Sequence, residues 1–191
     1  MARVACVVTN NTNSVRVLAI SGSLRKASSN SALVSTAVRV APVGVEVSVY
    51  GELAEVPPFN RDLDTDTAPL GVVRFRAALE ACDAILICSP EYAHGVSGVL
   101  KNALDWIVGS GELMDKPIAL INASGRATLA DASLRETLTT MSGRVVEEAS
   151  VTIALDGSRS DAAGIAQDAY LSGLLKASLA AIARVARVSA R

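Results

Sequence analysis

The sequence predicts an α/β fold built on one parallel sheet with helices on both faces, and three observations lead there. Short β-branched runs alternate with stretches of helical period along the chain. Half of the residues are apolar yet only 3% are aromatic, so burial rests on Ala, Val, Leu and Ile, the side chains that fill the layers of such a sandwich. The 191 residues suit one domain with a core of ordinary size.

The elements follow in order. V-R-V-L-A-I at 15–20 reads as a first strand. Leu33, Val34, Ala37 and Val38 then share one face of a helix over 30–41. V-G-V-E-V-S-V at 43–49 alternates apolar and polar, as a half-exposed edge strand does. Prolines and aspartates mark 51–69 as a long loop. Val72, Phe75 and Leu79 form the stripe of a second helix, with Arg74, Arg76 and Glu80 expected outward. A-I-L-I-C at 84–88 is apolar on both faces and belongs at the sheet centre. A third helix is expected over 96–108, where Leu104, Trp106 and Val108 lie off the main stripe and call for a second buried face. P-I-A-L-I at 117–121 is the fourth strand, and a helix carrying Leu134, Leu138 and Met141 stops at Gly143, a C′ residue. A continuous fifth strand is expected in 144–155, and a last helix from Ser160 and Asp161 to Arg184, Arg187 and Arg191, whose charges complement the helix dipole.

Composition excludes several functions. Eighteen basic against 19 acidic residues, with no basic block, argue against nucleic-acid or anionic membrane binding. No apolar run approaches the roughly 20 residues of a membrane span. The apolar run Val4–Val8 falls short of a secretory core, so residues 1–14 read as a disordered extension or a start site placed too far upstream. Residues 15–191 read as one domain. Cys6, Cys82 and Cys88 with a single His offer no Cys/His metal cage, and the expected compartment is a reducing cytoplasm.

Five strands alternating with five helices imply right-handed βαβ crossovers. The flavodoxin-like strand order 2-1-3-4-5 and the dinucleotide-binding halves share this grammar, and both place ligands at the carboxyl ends of the strands. The loops at 21–30, 89–95 and 122–128 are therefore the candidate site. The first, S-G-S-L-R-K-A-S-S-N-S, matches neither the Walker phosphate loop nor G-x-G-x-x-G. It reads either as a capping turn or as an anion cradle of hydroxyls, helix N-terminus and Arg25. The second offers Pro90, Tyr92 and His94, with Gly95 and Gly98 permitting close approach to a planar ligand. Its G-V-S-G-V fails the nucleophile-elbow pattern at Val99, and Ser97 lies too near His94 in sequence for a triad. In the third, Ser124 and Gly125 form either a capping turn or the other wall of the site.

G-S-L-R-K-A-S-S-N-S together with S-P-E-Y-x-x-G-x-x-G-x-L-K-N-A-L-D-W resembles the NADPH-dependent FMN reductase family, from about Val15 to Leu155. The resemblance implies a flavodoxin-like three-layer sandwich with a five-stranded parallel sheet in the order 2-1-3-4-5. It implies that Ser23, Arg25, Ser28, Asn30 and Ser31 hold the FMN phosphate. Pro90, Glu91, Tyr92, Ala93 and His94 line the isoalloxazine, largely through backbone atoms, and Ser124 and Gly125 complete the site. Hydride is expected to pass from NADPH or NADH to flavin N5, and electrons then to a small acceptor: a quinone, azo dye, metal oxyanion or free flavin. No catalytic side chain and no metal are implied; the chemistry is the cofactor's. The alternatives are a non-catalytic electron carrier or redox sensor, and a reductase that releases FMN as a product. Many relatives carry Asn at position 93 and Pro at position 97, where this chain has Ala93 and Ser97. Relatives commonly form dimers or tetramers near the third helix, which agrees with the extra apolar face around Leu104, Trp106 and Val108.

Overall fold

The computed structural model describes residues 14–155 and 161–189. The expected extension (Ser14 apart), together with Cys6, Ser160 and Arg191, lies outside the described residues. Strands β1 (Val15–Ser21), β2 (Val45–Tyr50) and β3 (Ala84–Cys88) alternate with helices α1 (Ser29–Val40) and α2 (Leu70–Glu80). A two-stranded hairpin, β4 (Glu91–Tyr92) and β5 (Gly95–Val96), then precedes α3 (Gly98–Asp105). β6 (Pro117–Asn122), α4 (Thr128–Thr140), β7 (Arg144–Val145), β8 (Val151–Thr152), α5 (Ala162–Gln167) and α6 (Ala169–Ser189) complete the chain. The main sheet is parallel in the order β2-β1-β3-β6, with β7 and β8 both paired to β6. This is the expected order 2-1-3-4-5, its fifth position shared by two short strands.

The burial patterns explain that order. All five residues of β3 are buried, as a central strand requires, whereas β2 alternates and occupies an edge. Parallel registers Val17↔Ala84 and Ile85↔Ile118 stack the apolar positions of β1, β3 and β6. One core lies beneath α1 and α6, through Leu33, Val34, Leu175, Leu179 and Ile182. The other lies beneath α2, α3 and α4, through Phe75, Leu79, Leu100, Trp106 and Leu138. Helix α6 is long and apolar enough to cross a membrane by length and composition, but Leu175, Leu179, Ile182 and Ala183 are fully buried in the core.

Several elements differ from expectation, each for a local reason. The fifth strand is not continuous, because Glu147–Ala149 forms a 3₁₀ turn between β7 and β8. That turn sends Glu147 and Glu148 to the surface, where they pair with Arg135 and Arg184. The Ser150 hydroxyl bridges the break, accepting from Leu120 N at 3.1 Å and donating to Val146 O at 3.0 Å. The last helix is interrupted at Asp168, whose Oδ1 accepts from Tyr170 N and Leu171 N at 3.0 Å and so caps a new helix. Val96 belongs to the hairpin, so α3 starts at Gly98. The left-handed residue after α4 is Ser142 (φ 61°) and not Gly143. Gly143 is needed for space, since a Cβ there would sit 2.7 Å from Ile118 Cδ1.

Two expectations about helix faces are corrected. Arg76 does not face outward. Its guanidinium reaches Asp64 at 2.7 Å, Glu112 at 3.5 Å and the carbonyl of Trp106. Leu104 and Trp106 need no partner chain, because this chain buries them itself, while Val108 stays exposed. Trp106 Nε1 donates to Pro57 O at 2.7 Å, and its ring meets Phe59 edge-on at 5.1 Å. Asn102 completes the clip, accepting from Phe59 N at 2.7 Å and donating to Pro57 O at 2.9 Å. The N and W of the K-N-A-L-D-W stretch thus fasten the long loop to α3. Trp106→Ala should lower the unfolding free energy by about 3–5 kcal/mol, read by urea titration; a loss below about 1 kcal/mol would contradict this account of the loop.

Candidate functional site

The loops after β1, β3 and β6 meet at the carboxyl end of the sheet. Gly22 makes the meeting possible: its N–H donates to Cys88 O at 2.8 Å. A Cβ on Gly22 would lie 2.8 Å from Ser89 Oγ and 3.0 Å from Ser97 Oγ, closer than side chains approach.

The first loop is stitched by its own hydroxyls. Ser21 Oγ lies 3.0 Å from Ser31 Oγ and accepts from Ser23 N at 3.3 Å. Ser23 Oγ accepts from Arg25 N at 3.4 Å, and Ser28, the N-cap of α1, accepts from Ser31 N at 3.4 Å. Ser23, Ser28 and Asn30 are buried, while Arg25 is exposed with no acidic partner among the described residues. The first turn of α1 holds no acidic residue, so helix terminus and guanidinium present unopposed positive charge. Asn30 Oδ1 accepts from the Cys88 thiol at 3.1 Å. In this orientation Nδ2 is the donor that Asn30 has left for the cleft. Full burial pushes the Cys88 thiol well above its usual range, so it stays neutral.

The second loop is the β4–β5 hairpin. Its turn residues Ala93 (φ 49°) and His94 (φ 64°) are both left-handed, as a two-residue primed turn demands. The departure from Asn at position 93 is therefore a backbone matter as well as a lost polar group. Ala carries the left-handed penalty that Asn lessens. Tyr92 presents a half-exposed ring and His94 an exposed one. The Glu91 side chain turns away to α4, where Ala127 has no side-chain cap to offer. Glu91 Oε2 accepts from Ala130 N at 2.9 Å, and Oε1 lies 3.1 Å from His94 Nδ1, which must carry the proton toward an ionised acceptor. The Ala130 N–H first, and His94 second, hold the Glu91 carboxyl below its ordinary value of 4.5.

The third loop is clamped by Asn122, which accepts from Ser124 N at 3.0 Å and donates to Ala127 O at 2.9 Å. Ser124 Oγ in turn accepts from Arg126 N at 3.3 Å. Between the loops runs an open cleft of about 310 Å³, lined among others by Asn30, Pro90, Glu91 and Ser124. Ser23, Arg25, Ser28 and Ser31 lie along the α1 loop, Ala93 and His94 at the hairpin tip, and Gly125 on the exposed third turn. Six lining residues escaped the sequence reading: Ser29, Ser89, Asn122, Ala123, Arg126 and Ala127. Ser89 and Asn122 were findable, since each stands at the carboxyl end of a core strand.

Comparisons with known proteins bear on the family and the fold. The sequence profile of the NADPH-dependent FMN reductase family matches residues 15–157. An NAD(P)H-dependent FMN reductase of Pseudomonas aeruginosa is 35% identical over 173 residues, covering 88% of this chain and 93% of that protein. A quinone reductase of Escherichia coli is 33% identical over 106 residues, 55% of each chain. In structure, a flavoenzyme NAD(P)H:(acceptor) oxidoreductase from Paracoccus denitrificans superposes with a TM-score of 0.76 at 29% identity, covering 89% of this chain and 98% of that one.

Two outcomes follow from the hairpin. Ala93→Asn should stabilise the fold by about 1 kcal/mol through the left-handed position, seen as a raised thermal midpoint. Glu91→Ala should lower that midpoint at neutral pH. Because folding depresses the Glu91 pKa, its stabilisation is complete above 4.5 and is lost as pH falls through the lower folded value. The gap between parent and variant should therefore close in acid; a gap that is constant with pH would exclude an ionised cap.

Proposed function

The chain belongs to the NADPH-dependent FMN reductase family, and we propose that it is an FMN-dependent NAD(P)H oxidoreductase that hands electrons to a small acceptor of the quinone type. The observation that carries this reading is the α1 loop opening into a cleft beside a left-handed hairpin. The loop offers hydroxyls, a helix terminus, Asn30 Nδ2 and Arg25, with no carboxylate to repel a monophosphate. The cleft walls formed by Pro90 and the Ser124 turn suit a flat heterocycle. Bound FMN supplies the redox chemistry, taking hydride at N5 from NADPH or NADH and returning electrons to the acceptor.

The protein's own part is to bind and to orient. Ser23, Arg25, Ser28, Asn30 and Ser31 hold the phosphate. Pro90, Glu91, Tyr92, Ala93 and His94 support one side of the ring, and Ser124 and Gly125 the other. Glu91, bonded to Ala130 N and His94, fixes the spacing of the two walls and transfers no proton. No side chain is assigned a catalytic role, since hydride transfer demands close stacking above all.

Residues 15–191 form the single FMN-binding domain in this reading, supported by cores on both sides of one sheet. A reducing cytoplasm suits two buried free thiols, Cys82 and Cys88. A homodimer or homotetramer is proposed through the exposed Val108 and Met114 that follow α3.

Purified protein should oxidise NADPH or NADH with a quinone once FMN is supplied. Absence of turnover with either dinucleotide, with and without added FMN, would leave a non-catalytic flavoprotein as the better reading. Arg25→Ala should weaken FMN binding by about ten-fold or more, through loss of a charge-assisted contact. Flavin fluorescence titration reads that change, and equal affinities would remove Arg25 from the phosphate site.

A further inference from the structure

The geometry points to Arg126 as the residue that receives a phosphate of the incoming nicotinamide dinucleotide at the cleft mouth, apart from the flavin phosphate assigned to Arg25. This rests on the proposed NAD(P)H oxidoreductase function. Among the described residues, two charged ones line the cleft, Glu91 and Arg126. Glu91 is engaged: one oxygen accepts from Ala130 N and the other faces His94. The nearest acid along the chain, Asp131, pairs with Arg135 at 2.6 Å. Arg126 therefore has no acidic partner among the described residues and stays exposed at the rim.

Its backbone is held nonetheless. Asn122 ties Ser124 N and Ala127 O together, and Ser124 Oγ accepts the Arg126 N–H. A guanidinium without an acidic protein partner, carried on a fixed turn, is available to an anion. FMN has one phosphate, and the Ser23–Ser31 loop on the other wall already supplies cation, helix terminus and hydroxyls for it. The dinucleotide brings further phosphates, and Arg126 is the exposed cation in the lining of the cleft. Its pyrophosphate is common to NADH and NADPH, and the 2′-phosphate is peculiar to NADPH; the chemistry recognised is the same.

FMN-loaded Arg126→Ala and Arg126→Lys proteins would be compared with the parent in steady-state assays with NADPH and NADH at saturating quinone. Calorimetric titration with non-reacting NADP⁺ and NAD⁺ would accompany them. Arg126→Ala should raise KM and the calorimetric Kd about ten-fold, with kcat little changed, and Arg126→Lys should recover part of the loss. A loss confined to NADPH and NADP⁺ identifies the 2′-phosphate as the partner, and a loss with both dinucleotides identifies the pyrophosphate. Unchanged KM and Kd for both dinucleotides would overturn the assignment. So would a fall in FMN affinity or a shifted flavin midpoint potential, which would give Arg126 to the flavin. Failure of the parent to oxidise either dinucleotide would instead count against the function on which the assignment rests.

Discussion

A helix that begins at Thr128 leaves N–H groups of its first turn without an intrahelical acceptor, and Ala127 has no polar side chain to cap them. Glu91 serves them from another loop, 39 residues away in sequence. One carboxylate thus closes a helix terminus, steadies a strained turn through His94 and fixes the spacing between two walls of the cleft. Without it the α4 terminus would face the cleft uncapped, and the hairpin would lose its contact with the third loop. The ligand-binding end of the sheet depends on that single charge being ionised and engaged.

Engaging the acid has an electrostatic corollary. Among the described residues, the other fixed charges at this end of the sheet include the α1 terminus and Arg25 on the α1 loop, with Arg126 in the cleft lining. A protein whose formal net charge is −1 therefore carries a locally cationic site. In the proposed reading, short-range charge-assisted hydrogen bonds, and not a long-range field, hold the anion. The neutral Cys88 thiol in contact with Asn30 fits the same picture, since a thiolate there would oppose an anion held by the α1 loop.

Much of this was legible in the sequence. The period and placement of the apolar runs gave a parallel sheet with A-I-L-I-C at its centre, because a strand apolar on both faces has nowhere else to go; the order 2-1-3-4-5 came from the family resemblance. The three loops followed from topology, and the two motifs pointed to the α1 cradle and the hairpin. What escaped the reading were features set by tertiary partners. Nothing local marks Glu91 as a helix cap, since its acceptor lies on α4. Arg76 looked like a surface residue until the long loop brought Asp64 and Glu112 to it. Leu104 and Trp106 looked like an interface because apolarity says that a face is buried without saying by what. The fifth strand was overdrawn because pattern counts did not weigh where Glu147 and Glu148 would have to point.

That broken strand has a consequence for the molecule in a crowded solution. A parallel sheet that ends in a long regular strand exposes a row of unpaired N–H and C=O groups, an invitation to pair with another chain. Here the outer ladder is cut into two-residue pieces, Arg144–Val145 and Val151–Thr152. A turn carrying two glutamates separates them, and a serine hydroxyl replaces one backbone rung. An approaching strand would find too short a template, interrupted by a turn whose glutamates are tied to Arg135 and Arg184. The irregularity that defeats the sequence pattern also protects the sheet from growing at that edge.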